Sequence, residues 1–165
     1  MSNEQSNSQE STGSISYVTR GARMHCDCGS HTRRLNIIND HGWIINHYGD
    51  DYNHPIANED DYKENVNIKS FGICGSSKMK SNNTITLYAE GEGESDDAKT
   101  VTGSPCTPLF DTKWQDTKED SEVNSETDGK VGSKMLTTNS CLVCRYGGII
   151  QFISSGLEYE GELDK

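Results

Sequence analysis

Six cysteines, set in four short segments, are the residues best equipped for chemistry. Cys26 and Cys28 lie in MHCDCG (residues 24–29), Cys74 in FGICG (71–75), Cys106 in SPCTP (104–108), and Cys141 and Cys144 in SCLVCRYGGII (140–150). Each segment sets cysteine beside glycine or proline, where the backbone turns sharply and a side chain can point inward. The pattern reads as cysteines from all four segments converging on one point, with a metal ion as the leading reason. Thiolates are natural ligands of tetrahedral zinc, and four of them close a structural site. A zinc ribbon would carry two CxxC knuckles. Here one CxC and one CxxC flank two single cysteines. Buried free thiols and disulfides formed after export are the other two readings of the same spacing. If a metal is bound, thiolates suit zinc and iron alike, so the residues do not choose between them.

Other chemistries fit less well. A redox CxxC sits at a helix N-terminus in a βαβ setting, whereas Cys141-Leu-Val-Cys144 lies in an apolar, β-prone run. His25 abuts Cys26, but in an extended segment its side chain faces the other way. His31, His41, His47 and His54 read as exposed loop residues, and Trp43 and Trp114 as packing residues. No nucleophile elbow and no phosphate-cradling glycine loop at a helix start is present. A formal net charge of −11 has the wrong sign for phosphate contacts with nucleic acid.

The elements that must position the cysteines are expected to be strands. Hydrophobic residues are only 31% of the 165-residue chain. That is thin for one domain, so a metal or cross-link would supply what the core lacks. Ser, Asn, Thr, Gly and Asp are frequent, which suits short strands joined by many turns. The expected fold class is mainly β, with short strands and hairpins and long polar loops. Strand character is read at residues 15–24, with a kink at Gly21, and at 66–74, 84–88, 141–144 and 149–153, with 134–137 leading into the strand at 141. A hairpin is read between 35–38 and 43–45 across the turn Asn39-Asp40-His41-Gly42. Residues 49–64, 89–102 and 111–130 read as polar, acidic loops, and Pro105-Cys106-Thr107-Pro108 as a rigid corner. Strand, Gly or Pro corner, and cysteine recur loosely, without an exact repeat.

Four motifs in order carry a resemblance. They are Tyr17-Val18-x-Arg20-Gly21-Ala22-x-Met24-x-Cys26, then Asn67-Ile68-x-x-Phe71-Gly72-x-Cys74, then Pro105-Cys106-x-Pro108, then Ser140-x-Leu142-x-Cys144-x-x-Gly147-Gly148. The series resembles the PAAR-like family of bacterial type VI secretion and other contractile injection machines. The resemblance implies a small cone-shaped β protein whose base sits on the trimeric VgrG spike and whose apex is metal-bound. It maps the family's cysteines onto Cys26, Cys74, Cys106 and Cys144, and leaves Cys28 and Cys141 as extras; ordinary PAAR tips use a mixture of histidine and cysteine, and the all-cysteine site is inferred from this chain. The chain departs from the family pattern in several places, and the polar arm before Tyr17 is an addition to it. The small-residue, Ala-rich segment that family members tend to carry between the second and third cysteines is replaced by residues 84–88 and an acidic loop. The stretch from Cys106 to Cys144 is also unusually acidic.

The organisation expected on this basis is a mobile polar extension (1–16), a spike-tip domain (17–156) and an acidic tail (157–165). The expected function is structural and non-enzymatic: a zinc- or iron-stabilised tip that caps VgrG and helps membrane puncture and effector delivery. The extension is a candidate attachment point for an effector or a second spike component. A standalone cytosolic metal-binding adaptor is the alternative, and a thiol enzyme the third class. Residues 1–14 lack the charged and apolar regions of a signal peptide, and no apolar run approaches the roughly 20 residues of a membrane span. The expected location is therefore cytoplasmic before assembly, with delivery on the injection spike.

Overall fold

A computed structural model describes residues 15–38, 41–46, 53–79, 81–118, 122–125 and 130–157. Among these the chain is mainly β, with eleven short strands and no helix. The expected fold class stands. The residues before 15 and after 157, which hold most of the expected extension and tail, lie outside the described segments.

The central sheet has four strands in the order β10-β11-β1-β2. They are β10 (Cys141–Val143), β11 (Ile149–Phe152), β1 (Arg23–Cys26) and β2 (Arg33–Arg34). All pair antiparallel, with Leu142 opposite Ile150 and Ile150 opposite Cys26. Alternation explains the burial. Leu142, Ile150 and Met24 are fully buried on one face, while Val143, Ile149 and Gln151 are exposed on the other. A second sheet, β5-β7-β6, is built from β5 (Ile73–Cys74), β7 (Thr100–Pro105) and β6 (Ile85–Tyr88). Pro105 ends its strand, where a missing N–H does least harm to the ladder. Two hairpins complete the fold: β3 (Ile44–Asn46) with β4 (Asn53–Pro55), and β8 (Glu122–Ser125) with β9 (Lys130–Lys134).

Several expectations are corrected. Gly21 adopts φ 95°, and the segment before it makes only isolated bridges, so the first full strand starts at Arg23. Leu35 bonds the backbone of Ala22 rather than residues 43–45, and Ile44–Asn46 takes Asn53–Pro55 as its partner. Only Ile73–Cys74 of the stretch 66–74 is strand, because the chain turns through 65–67 with Asn65 at φ 63°. The loop expected at 89–102 ends early, at Thr100, where β7 begins; the one expected at 111–130 contains β8.

The largest correction concerns residues 49–64. His54 to Glu59 and Asp61 are buried, although acidic and polar side chains are seldom found inside. Their partners explain it. His41 Nε2 lies 3.0 and 2.9 Å from the two carboxylate oxygens of Asp61, and the Asn58 N–H donates to Asp61 Oδ2 at 2.8 Å. Lys113 Nζ sits 2.8 Å from Glu59 Oε1, and Trp114 Nε1 donates to the Asp61 carbonyl at 2.9 Å. Paired this way, buried polar groups escape the cost of desolvation without compensation. His41 and His54 are thus interior residues rather than exposed ones. Trp114 packs as expected, stacked on Phe152 with ring centroids 4.8 Å apart. Trp43 does not; it is 50% exposed.

One core is built from the central sheet and the segments around it, and Cys74 of the second sheet packs against it. Val18, Met24, Leu35, Ile68, Phe71, Trp114, Leu136, Leu142 and Ile150 belong to it, together with Cys106 and Cys144. The β6–β7 hairpin is tied to the start of β2 by polar contacts. His31 Nε2 donates to the Tyr88 carbonyl at 2.8 Å, and the Thr32 N–H donates to Glu90 Oε1 at 2.8 Å. The Thr32 hydroxyl bonds the same oxygen, and Arg23 lies 4.0 Å from it. Burial works to raise the Glu90 carboxyl, but the Thr32 hydrogen bonds, His31 and Arg23 outweigh it. The net effect holds the group below its ordinary value of 4.5. A depressed carboxylate contributes stability that is complete above its unfolded pKa and is lost as pH falls through the folded one. Acidification below pH 4.5 should therefore loosen this hairpin. Amide exchange in Ile85–Tyr88 should accelerate on acidification in the native chain, after correction for the pH dependence of intrinsic exchange. In Glu90→Gln it should be fast already at neutral pH. Equal protection in both proteins would remove the clasp from the account.

Candidate metal centre

Where the two sheets meet, the cysteine segments end on a common cavity of about 10 Å³. That is the space of a single water or ion. Cys26, Cys28, Cys74, Cys106 and Cys144 all line it, with Gly29, Phe71, Met79, Pro108, Tyr146 and Gly148 among their neighbours. Four of the five are the sequence candidates Cys26, Cys74, Cys106 and Cys144. Cys28, set aside as an extra by the family mapping, is on the wall with them.

Each arrives for a local reason. Cys26 ends β1 on the inward face shared with Met24, so His25 faces away and is absent from the cavity. Cys28 follows two residues on, inside a turn whose geometry is pinned: Gly29 N donates to the Cys26 carbonyl at 2.9 Å, and Gly75 N to the Cys28 carbonyl at 2.7 Å. Asp27, between the two cysteines, turns outward and accepts the Ile149 N–H at 2.8 Å. Cys74 ends β5 and bridges Gly29. Cys106 follows β7, its N–H donated to the Gly72 carbonyl at 2.7 Å. Its sulfur accepts the Phe71 N–H at 3.3 Å. Cys144 follows β10 and is held in a turn by Cys144 N to Gly148 O and Gly147 N to Cys144 O, both 2.8 Å. Ser76 Oγ donates to the Tyr146 carbonyl at 2.5 Å, which fastens the segment bearing Met79 beside this turn.

Cys141 goes elsewhere. On a strand, residues three apart face opposite sides, so Leu142 and Cys144 turn in while Cys141 turns out towards Asp116 Oδ2, 3.8 Å away. The CxxC spacing therefore does not act as a pair. Nothing local marks Cys28: it lies in the turn that follows β1, and the bonds from Gly29 N to the Cys26 carbonyl and from Gly75 N to the Cys28 carbonyl set its place on the wall.

Glycine makes the cavity. A Cβ on Gly148 would stand 2.6 Å from Cys26 Sγ and 3.5 Å from Cys28 Cβ. Gly72, at φ 87°, has the His31 ring and Ser30 Oγ where a Cβ would go.

All six cysteines are free thiols. Burial pushes Cys26 up to about 12, reinforced by the nearby Cys28, Asp27 and Cys106 and opposed by a backbone hydrogen bond at Cys28. Burial likewise raises Cys106 against the Phe71 N–H and Ser70, with Cys74 and Cys144 adding to the rise. Cys28 is raised by burial and then by Asp27, Cys74 and Cys144. Crowded thiols of this kind resist ionisation unless a cation joins them. Among the described residues no three His, Cys, Asp or Glu groups already form a coordination shell. The sulfurs thus share a wall without closing on a point. Their chemistry and the cavity size suit a thiophilic ion, and the donor set contains no imidazole or carboxylate on that wall.

Residues 18–156 match the family described as a domain of unknown function, DUF4280. The chain belongs to the DUF4280 family. No curated protein and no solved structure matches it. The DUF4280 match runs from Val18 to Gly156, and its two ends meet in space: the Thr19 N–H donates to the Ser155 carbonyl at 2.8 Å, and Gly156, at φ 95°, lies against Thr19. All five cavity cysteines fall inside the DUF4280 limits.

Proposed function

We propose that this DUF4280 protein is a PAAR-like tip protein, metal-stabilised and non-enzymatic, that caps the trimeric VgrG spike of a type VI secretion or related contractile injection system. The observation that carries the reading is the meeting of cysteines from four distant segments at one ion-sized cavity. The four motifs that resemble the PAAR-like family end on these same cysteines.

The physics of a pointed tip supports it. A narrow apex has little volume for side-chain packing, so cross-linking strand ends at a metal is an economical way to stiffen it. Cys26 and Cys144 bring the ends of β1 and β10 from the central sheet, and Cys74 and Cys106 bring the ends of β5 and β7 from the second sheet. A metal bound there would require these thiols to turn toward a common centre. A bound zinc ion would hold them as thiolates and add its binding free energy to folding; iron is the second choice with the same donors. Phe71 N–H would donate to the Cys106 thiolate, the usual role of a neighbour that orients a ligand.

The test is co-expression with a trimeric VgrG spike protein from the same genome. Size-exclusion chromatography with light scattering should show a complex containing one tip chain for each spike trimer. Failure to associate with any such spike would overturn the spike assignment and leave the metal centre to stand on its own measurement.

A further inference from the structure

We propose that Cys28 is a fifth donor to the metal centre, able to replace Cys74 or Cys144 in its coordination sphere; this rests on the metal-centre part of the reading above. A four-coordinate ion needs four thiolates, and five cysteines line the cavity. Cys28 has the position for exchange. Its carbonyl is bonded by Gly75 N at 2.7 Å, which sets it beside Cys74. Its Cβ lies 3.5 Å from where a Gly148 Cβ would stand, and the Gly148 carbonyl accepts the Cys144 N–H at 2.8 Å. Cys28 therefore stands between the Cys74 corner and the Cys144 turn, and lines the cavity with Cys26. Cys106 and Cys26 have no such understudy. Cys106 is locked between two prolines and holds the Phe71 N–H, and Cys26 is fixed by the β1 register against Ile150.

In the exchange, a Cys28 sulfur–metal bond forms as the bond from Cys74 or Cys144 breaks. The Cys28 proton passes to the released thiolate, so charge and atoms balance and nothing is oxidised. The consequence is a centre that tolerates transient loss of one ligand and exchanges its metal faster than a closed four-cysteine site.

The experiment uses the full chain purified reduced and loaded with zinc. Cys28→Ser, Cys74→Ser and Cys144→Ser should each keep near-stoichiometric zinc, whereas Cys28→Ser/Cys74→Ser and Cys28→Ser/Cys144→Ser should lose it. Zinc lost from Cys74→Ser and Cys144→Ser as fully as from the doubles would overturn the proposal. A measurement on the unsubstituted chain guards against misfolded variants. Alkylation followed by peptide mass spectrometry should label Cys141 fully in the zinc-loaded protein, and Cys28, Cys74 and Cys144 each partly. Full labelling of Cys28 with full protection of Cys74 and Cys144 would overturn the exchange while leaving the centre intact. No zinc bound and all six cysteines labelled alike would overturn the centre itself, and the exchange with it.

Discussion

Replacing Cys106 with serine should abolish zinc binding and lower the melting temperature of the zinc-loaded protein by about 10 °C. The size follows from linkage: a ligand at a thousandfold excess over its Kd stabilises by about 4 kcal/mol, and each kcal/mol moves a chain of this length by roughly 2–4 °C. Cys106 is the ligand with least room to be replaced. It is buried, flanked by Pro105 and Pro108, and its sulfur holds the Phe71 N–H. Serine offers a harder and shorter donor that a thiophilic ion does not accept. Elemental analysis and thermal melts with and without zinc make the check. Equal zinc content in Cys106→Ser and the unsubstituted chain would remove Cys106 from the centre.

The same thiols give the metal-free protein a particular pH dependence. Burial and mutual repulsion hold Cys26 up at about 12, against an ordinary 9.0. Raised in the folded state, such a group contributes stability that is complete below pH 9 and is lost as pH rises towards the folded value. Metal-free protein should therefore melt earlier as pH climbs above 9, whereas zinc-loaded protein, whose thiols are already ionised, should not follow it. At acid pH the order reverses, because protons compete with the metal for sulfur.

Gly148→Ala should weaken zinc binding by about tenfold or more while leaving the metal-free melting temperature nearly unchanged, a cost in line with disturbing groups that orient ligands. Its added Cβ would lie 2.6 Å from Cys26 Sγ. The sulfur ends a short, rotatable side chain, so it can swing aside at little cost to the fold, but it then no longer points at the shared centre. Gly147→Ala is the instructive contrast. Gly147 sits at φ 94°, with only Lys78 side-chain atoms near, at 3.7 Å and beyond. Alanine there strains the backbone by about 1–2 kcal/mol and should lower stability with and without zinc. Chelator competition and paired melts separate the two. An unchanged zinc affinity in Gly148→Ala would mean that Cys26 is not held to the centre in the way its position requires.

Patterns with short range were legible before any coordinates. Ile85–Tyr88 and Ile149–Phe152 alternate, Gly147-Gly148 breaks the run, and strand with turn is the only economical use of so polar a composition. What misled was the assumption that polar means exposed. His41 and Asp61 are 20 positions apart, and nothing local announces that they bond each other, or that Asn58, Glu59 and Trp114 join them in the interior.

The cysteine site divides in the same way. The residue types, their companions Gly and Pro, and the alternation that parts Cys141 from Cys144 are properties of the chain itself, because they depend on backbone geometry within a few residues. Which sulfurs meet depends on two sheets packing at one edge. The register of Cys26 on Ile150, the bridge from Gly29 to Cys74 and the absence of a Cβ at Gly148 come from segments up to about 120 residues apart. Only their joint packing decides that five sulfurs share a wall and the sixth faces away.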